Sequence, residues 1–277
     1  VINFLFLIFG GMPVFDAICT AFGTAGTGGF GIKNTSIGYY DSYYLQTVIS
    51  VFMLLFGVNF NVYFFILMRK YAMAFRNAEL KAYLGIIAGA TLVITINIAS
   101  LFPNLYDALH HAFFTVNSIM TTTGFSTVDF DQWPELSRLI LVLLMIIGAS
   151  AGSTGGGIKV SRVVILMRSA ASEIRKLLHP RSVKVLTIDG KPIGQDTVRG
   201  VQSYMLVYAG ITVISMLLVS LDNYDMVTTI TAVEATLNNI GPGLEAVGPT
   251  CNYGAYSDFS KLVLIMDMLA GRLEIFP

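Results

Sequence analysis

Charge is scarce in this chain. Acidic and basic side chains make up 12% of its 277 residues, against about 25% in a soluble domain. The 17 Lys and Arg balance the 17 Asp and Glu. Without a basic excess, a nucleic-acid partner is not expected. Cysteine is almost missing: Cys19 and Cys251 lie far apart, with neither metal spacing nor a disulfide framework. His110, His111 and His179 lack the i, i+3 or i+4 repeat that puts ligands on one helix face, and read as packing or surface residues. No basic flank accompanies the apolar start, so no signal peptide is read there. The first residue is not Met, and both ends are apolar. A piece of a longer polypeptide is expected.

What is abundant is hydrophobicity: 55% of the residues are apolar, and mean hydropathy is strongly positive. A membrane span needs roughly 20 mostly apolar residues. Segments 46–68, 82–102, 139–167 (interrupted), 201–221 and 260–276 meet or approach that, and 1–11 reads as the tail of another. Between them lie shorter apolar pieces at 13–25, 105–121 and 226–238. At about 1.5 Å per residue these reach only partway across, as re-entrant half-helices do.

Each short piece ends in a glycine turn: Thr27-Gly28-Gly29-Phe30-Gly31, Thr122-Thr123-Gly124-Phe125-Ser126 and Asn239-Ile240-Gly241-Pro242-Gly243. Irregular backbone at membrane depth is tolerated only where protein buries it or it lines a wet cavity. There its carbonyls can replace an ion's hydration shell. Gly29, Gly124 and Gly241 hold the third place of each turn, where glycine's freedom at positive φ lets carbonyls turn inward. One such turn is ordinary; three in register after three half-helices read as an ion filter. Asp16-Ala17 with Ala21-Phe22 recurs as Asp107-Ala108 with Ala112-Phe113, which supports internal repeats. These aspartates and Asp225 are expected to cap the half-helices.

Charge orients the chain. Arg69, Lys70, Arg76 and Lys81 fill one link, and Arg168, Arg175, Lys176, Arg181, Lys184, Lys191 and Arg199 another. The positive-inside rule makes both cytoplasmic, which puts the glycine turns on the outer side. The second basic link could also draw anionic lipid. Lys33 could tune the outer vestibule. Gly152 and Gly157 have phosphate-loop spacing, but Ile158 stands where that motif needs Lys and no strand precedes it.

Together, the glycine turns, the broken span from Gly148 to Lys159 and the ending Gly271-Arg272-Leu273-Glu274-Ile275-Phe276-Pro277 resemble the Trk/Ktr/HKT superfamily of potassium transporters. The ending is closer to the TrkH/TrkG branch. The resemblance covers nearly the whole chain. It implies an all-α membrane protein of repeated helix, pore half-helix, filter and helix units around a potassium-channel-like pore. Such families carry four units, of which three filters are visible here. The expected division is 1–70 for repeat 2, 79–168 for repeat 3 with its broken second helix, 169–198 for a cytoplasmic link and 199–277 for repeat 4.

The implied filter comprises Thr27, Gly28, Gly29, Phe30, Thr122, Thr123, Gly124, Phe125, Asn239, Ile240, Gly241 and Pro242, with K+ at their carbonyls. The implied gate comprises Gly152, Ser153, Thr154, Gly155, Gly156, Gly157 and Lys159, with Arg272 facing the glycine loop. The implied function is potassium uptake across a bacterial inner membrane by a homodimer with outward filters. K+, and Rb+ in its place, is the transported ion, and no cofactor is expected. A cytosolic nucleotide-binding ring (TrkA-like) is the implied partner, besides membrane lipid. Channel-like passage and proton- or sodium-coupled symport both fit the scaffold. An organic-solute transporter would instead need polar side chains at a midplane site. An enzyme would need a nucleophile and base, or metal ligands, within the spans, and no such set is seen.

Overall fold

A computed structural model describes residues 1–179 and 187–273. Arg181, Lys184 and positions 274–277 lie outside the described residues. The described chain is helical apart from one short hairpin. It opens with α1 (Ile2–Phe9), the half-helix α2 (Val14–Ala25), α3 (Tyr43–Phe56), α4 (Phe60–Leu67) and α5 (Tyr71–Arg76). Then come α6 (Ala78–Ile98), the half-helix α7 (Leu105–Met120), α8 (Glu135–Ile147) and α9 (Val160–Leu178). The hairpin β1 (Thr187–Ile188) and β2 (Lys191–Pro192) precedes α10 (Gln195–Val219), the half-helix α11 (Met226–Leu237) and α12 (Asp258–Arg272).

Burial is greatest on the second and third half-helices. Nearly every residue of α7 from Phe114 on, and of α11 from Thr231 on, is buried. The long helices wrap them: α6 and α3 pack on α7, and α10 and α12 pack on α11. Their outer faces expose Leu92, Ile96, Leu206, Ile214 and Leu217. Apolar groups outside and polar backbone inside suit a lipid solvent, which leaves exposed apolar side chains at ease and free amides costly. By length and composition, Ala78–Leu101 and Gln195–Asp222 can each cross a membrane alone.

The segment expected as one span at 46–68 does not run straight. α3 and α4 meet at an angle of 89°. Gly57 ends α3, and Asn59 starts α4 by accepting from the Asn61 N–H at 2.9 Å. The break frees carbonyls, and tyrosines take them: Tyr83 donates to the Leu54 carbonyl at 3.0 Å, and Tyr63 to that of Leu55 at 2.5 Å. A hydropathy window passes smoothly over this elbow, because Val58 and Phe60 keep it apolar.

The expected aspartate caps hold once in three. Asp225 is an N-cap and accepts from the Thr228 N–H at 2.9 Å. Asp16 and Asp107 instead sit within the first turn, because Pro13 and Asn104 hold the cap positions. There Asp16 accepts from Tyr40 and pairs with Lys33, and Asp107 accepts from Tyr43 at 2.8 Å. These carboxylates still lie where the helix dipole favours them, but they anchor the chain that follows. Beyond the second and third glycine turns, Arg138 bridges Asp131, Glu135 and Glu245, which staples the two following links together.

Tyr83 is fully buried, and its hydroxyl is the donor to the Leu54 carbonyl. Tyr83→Phe should destabilise the fold by about 1–3 kcal/mol, the cost of one buried unsatisfied acceptor. Tyr63→Phe should cost less, since that contact is exposed. Thermal unfolding of the purified protein in detergent checks the order; equal shifts would show that the elbow does not depend on Tyr83.

Candidate functional site

The three half-helices end in one shared motif. After the cap residues Gly26, Thr121 and Asn238, the next residues adopt left-handed backbone: Thr27 at φ 50°, Thr122 at φ 55° and Asn239 at φ 55°. The residue after each donates back to the helix: Gly28 N–H to Gly23 at 2.8 Å, Thr123 to Ser118 at 2.9 Å and Ile240 to Ala235 at 2.8 Å. Thr27, Thr122 and Asn239 also donate to Thr24, Ile119 and Thr236. This is the Schellman ending, formed here without glycine at its left-handed position. A left-handed residue with a Cβ costs roughly 1–2 kcal/mol, and branched threonine tolerates it poorly. Gly29, Gly124 and Gly241 then return to positive φ two residues later.

Threonine's hydroxyl explains its presence. Thr27 Oγ1 shares its proton between the carbonyls of Gly26 at 2.8 Å and Thr154 at 2.9 Å, and Thr122 Oγ1 accepts from the N–H of Gly156 at 2.6 Å. Thr154 and Gly156 belong to the glycine-rich break between α8 and α9. Each hydrogen bond contributes about 0.5–1.5 kcal/mol net, comparable to the strain at its threonine. In the third turn Asn239 Nδ2 reaches the carbonyl of Met268 on α12 instead, at 3.2 Å.

The turns also pack in sequence. A Cβ on Gly29 would lie 1.7 Å from the Thr123 carbonyl oxygen, and one on Gly124 would lie 2.0 Å from that of Ile240. Nothing described lies within 4 Å of the same point on Gly241. The first and third turns instead face each other across a cavity of about 570 Å³, lined by Gly28, Phe30, Asn239, Gly241, Tyr253 and Arg272 among others. The turns therefore run around an axis as an open arc. Phe125 is buried, whereas its counterpart Phe30 is 78% exposed at the edge of the arc. Ser118 Oγ donates to the Phe125 carbonyl at 2.5 Å, and Tyr253 to that of Gly241 at 2.7 Å. Pro242 replaces phenylalanine in the third turn, so the arc is not symmetric.

The break between α8 and α9 closes at its base. Ile158 and Lys159 donate to Ile146 and Ile147, and Val160 donates to Ala149. Gly148, Gly152 and Gly157 sit at positive φ. The loop lies against the half-helix ends: a Cβ on Gly155 would stand 2.8 Å from the Thr121 carbonyl, and one on Gly156 2.3 Å from that of Asn238. Ser153 turns back to accept from the Gly155 N–H at 3.3 Å. Lys159 is buried and donates to the Gly155 carbonyl. Arg272, on the last turn of α12, donates from Nη1 to the Thr154 carbonyl at 3.2 Å. That carbonyl thus holds Thr27 and Arg272 together. Asp267 does not pair with Arg272; it accepts from Ser215 Oγ at 2.6 Å.

Sequence reasoning missed several participants. Glu234 is buried in α11 and accepts from Tyr208 at 2.8 Å and from Asn238 Nδ2 at 2.9 Å, directly behind the third turn. An acid in the middle of a short apolar helix was its visible signal. Glu79 reaches the glycine loop and Asn59 reaches Glu79, each from the N-terminal end of its helix, with no local pattern to announce them. His110 pairs with Gln46, and His111 with Thr127. Among the described residues no cluster of three or more His, Cys, Asp or Glu could hold a metal.

The packing sets a ranked expectation. Gly29→Ala and Gly124→Ala add a backbone clash to the left-handed strain, whereas Gly241→Ala adds the strain alone. The first two should lower the apparent unfolding temperature distinctly more than the third. Equal losses would mean that neighbouring carbonyls do not constrain the turns.

Comparison with known proteins matches this architecture. The family profile "TrkH: Cation transport protein" covers residues 8–277. The Trk system potassium uptake protein TrkH of Salmonella typhimurium is 36% identical over 98% of this chain. The TrkG protein of Escherichia coli is 34% identical over 96% of it. The chain spans 56% and 55% of the lengths of those two relatives. The crystal structure of the potassium transporter TrkH from Vibrio parahaemolyticus superposes with a TM-score of 0.91 at 36% identity, over 99% of this chain and 59% of that one. The chain belongs to the TrkH family of cation transport proteins.

Proposed function

We propose that the chain supplies three of the four filter segments of a potassium-uptake pore, with the glycine loop and Arg272 as its gate. The observation that carries this reading is the arc of three Schellman-ended half-helices, each followed by a glycine at positive φ. Helix C-termini carry partial negative charge, and converging three of them favours a desolvated cation on the axis. The open side of the arc, at Gly241 and the 570 Å³ cavity, suits a fourth segment from the remainder of the protein. K+, with Rb+ as a substitute, passes along the filter carbonyls. The basic links lie in the cytoplasm and the filters face outward. The whole protein works as a homodimer in the bacterial inner membrane, controlled by a cytosolic TrkA-like ring.

The loop lies directly against the ends of the half-helices, so a cation leaving the filter meets it next. Arg272 adds a fixed positive charge there. Two unit charges 4 Å apart repel by about 4 kcal/mol at an effective dielectric of 20, enough to slow passage roughly a thousandfold. Opening requires loop and arginine to move aside together.

Coupled symport is the second reading. Glu234 and Asp267 favour it, being acids buried close behind the third filter, where protons could be held.

Rubidium uptake into proteoliposomes containing the full-length parent tests the pore. Potassium should block uptake and sodium should not; no cation flux through folded protein would refute the reading. Gly124→Ser should erode the preference for rubidium over sodium. Arg272→Ala should raise basal flux by about tenfold or more, as removal of several kcal/mol of repulsion predicts. Unchanged or lower flux would count against the gate.

A further inference from the structure

The glycine loop is held on two sides, and only one of them belongs to the filter and Arg272. On the other side, three consecutive residues are pinned. Ser150 N–H donates to the Gly57 carbonyl at 3.1 Å, and the Gly152 carbonyl accepts from Phe60 N–H at 3.1 Å. Between them, Ala151 N–H donates to Glu79 Oε1 at 2.6 Å. Both Gly57 and Phe60 belong to the elbow between α3 and α4.

Glu79 brings the charge to this grip. It is 8% exposed, so its carboxylate depends on protein donors. It has two: the Ala151 N–H, and Asn59 Nδ2 at 3.0 Å. Asn59 cannot turn over freely, because its Oδ1 caps the Asn61 N–H. The elbow, the start of α6 and the loop therefore meet in one polar junction with fixed donor and acceptor roles. A charged acceptor makes roughly twice as strong a hydrogen bond as a neutral one.

The junction also has a handle. Asp189, at the tip of the β1–β2 hairpin, accepts from the N–H of Ala78 at 2.7 Å, one residue before Glu79. Arg168 on α9 steadies the hairpin through the Thr187 carbonyl at 2.6 Å. One covalent step thus separates a hairpin of the basic link from the acid that grips the loop.

We infer that Glu79 is a positioning residue that latches the glycine loop shut through Ala151 and Asn59, and that the 187–192 hairpin sets the latch by holding the first turn of α6. This rests on the loop being a gate. It adds a second restraint, independent of Arg272, through which a pull on the cytoplasmic link is felt at the loop.

The donor–acceptor pattern provides a test by polarity exchange. In Glu79→Gln an amide faces the Asn59 amide, and in Asn59→Asp two carboxylates face each other. In the double variant the roles are exchanged: the new amide at position 79 donates to the new carboxylate at position 59, which still caps Asn61. All variants would be made in the full-length parent, with two readouts. One is rubidium flux into proteoliposomes without any cytosolic partner. The other is the thiol-labelling rate of Ser153→Cys in an otherwise cysteine-free protein, which reports loop release whether or not ions flow.

Each single change should raise both readouts about tenfold, the scale set by one charge-assisted hydrogen bond. The double variant should return to within about twofold of the parent, as restored pairing predicts. Asp189→Ala should raise both readouts in the same direction but by less. Singles without effect, or a double variant as released as the singles combined, would overturn the latch. An unaltered Asp189→Ala protein would overturn the role of the hairpin. Labelling that rises in the singles and falls back in the double, with no flux in any protein, would uphold the latch and refute the pore.

Discussion

Backbone that leaves helical geometry away from water must find partners within the protein, and this single demand organises the molecule. Apart from its surface links, the chain leaves helix at three turn segments, one elbow and one loop, each with buried backbone at positions such as Thr27, Thr122, Ile240, Gly57 and Gly155. Each departure is answered locally. The half-helices close on their own last turns. The elbow gives its carbonyls to Tyr63 and Tyr83. The loop spends its groups on neighbours on both sides. The outer helices then have little to do but cover this interior with apolar side chains.

The consequence is that the glycine turns and the loop are not separate modules. Thr27 and Thr122 accept left-handed strain to place their hydroxyls on the loop. A glycine there would relax the backbone and lose the link. Six contacts then hold the loop: Thr27 and Arg272 on Thr154, Thr122 with Gly156, Ser150 with Gly57, Ala151 with Glu79, and Gly152 with Phe60. At a net 0.5–1.5 kcal/mol apiece they amount to roughly 3–9 kcal/mol. Breaking one loosens the loop by a fraction of that sum, and breaking all at once is rare. A loop so held switches when several contacts are released together.

How much of this could be read from the sequence depends on how local each cause is. The half-helices were legible because length and hydropathy alone separate 12 or 16 residues from a full span. The positive φ of Gly29, Gly124 and Gly241 was legible because three turns repeat. The left-handed backbone at Asn239 is within that residue's habits, but at Thr27 and Thr122 it runs against propensity, and only the distant loop explains it. The elbow was hidden by its own apolar composition, although Gly57 and Asn59 punctuate it. Asp16 and Asp107 were placed one turn wrongly because Pro13 and Asn104 compete for the cap. Glu79 could not be singled out at all: its partners are 20 and 72 residues away.

Electrostatics gives the arrangement its direction. Three half-helix C-termini converge, and each favours positive charge within about a turn of its end. Two cationic side chains are already there. Lys159 is buried on the Gly155 carbonyl, and Arg272 sits on that of Thr154. Each is tethered, so each can satisfy this field without leaving the protein. On the proposed reading, a mobile cation arriving from the filter would meet both of these charges while the loop is in place. On that reading, drawing the loop aside with its tethers would remove both charges and leave the field of the helix ends to the mobile ion. The partial charges that favour a cation belong to the half-helix ends, whereas the two protein cations rest on the loop, so the balance between them depends on the position of the loop.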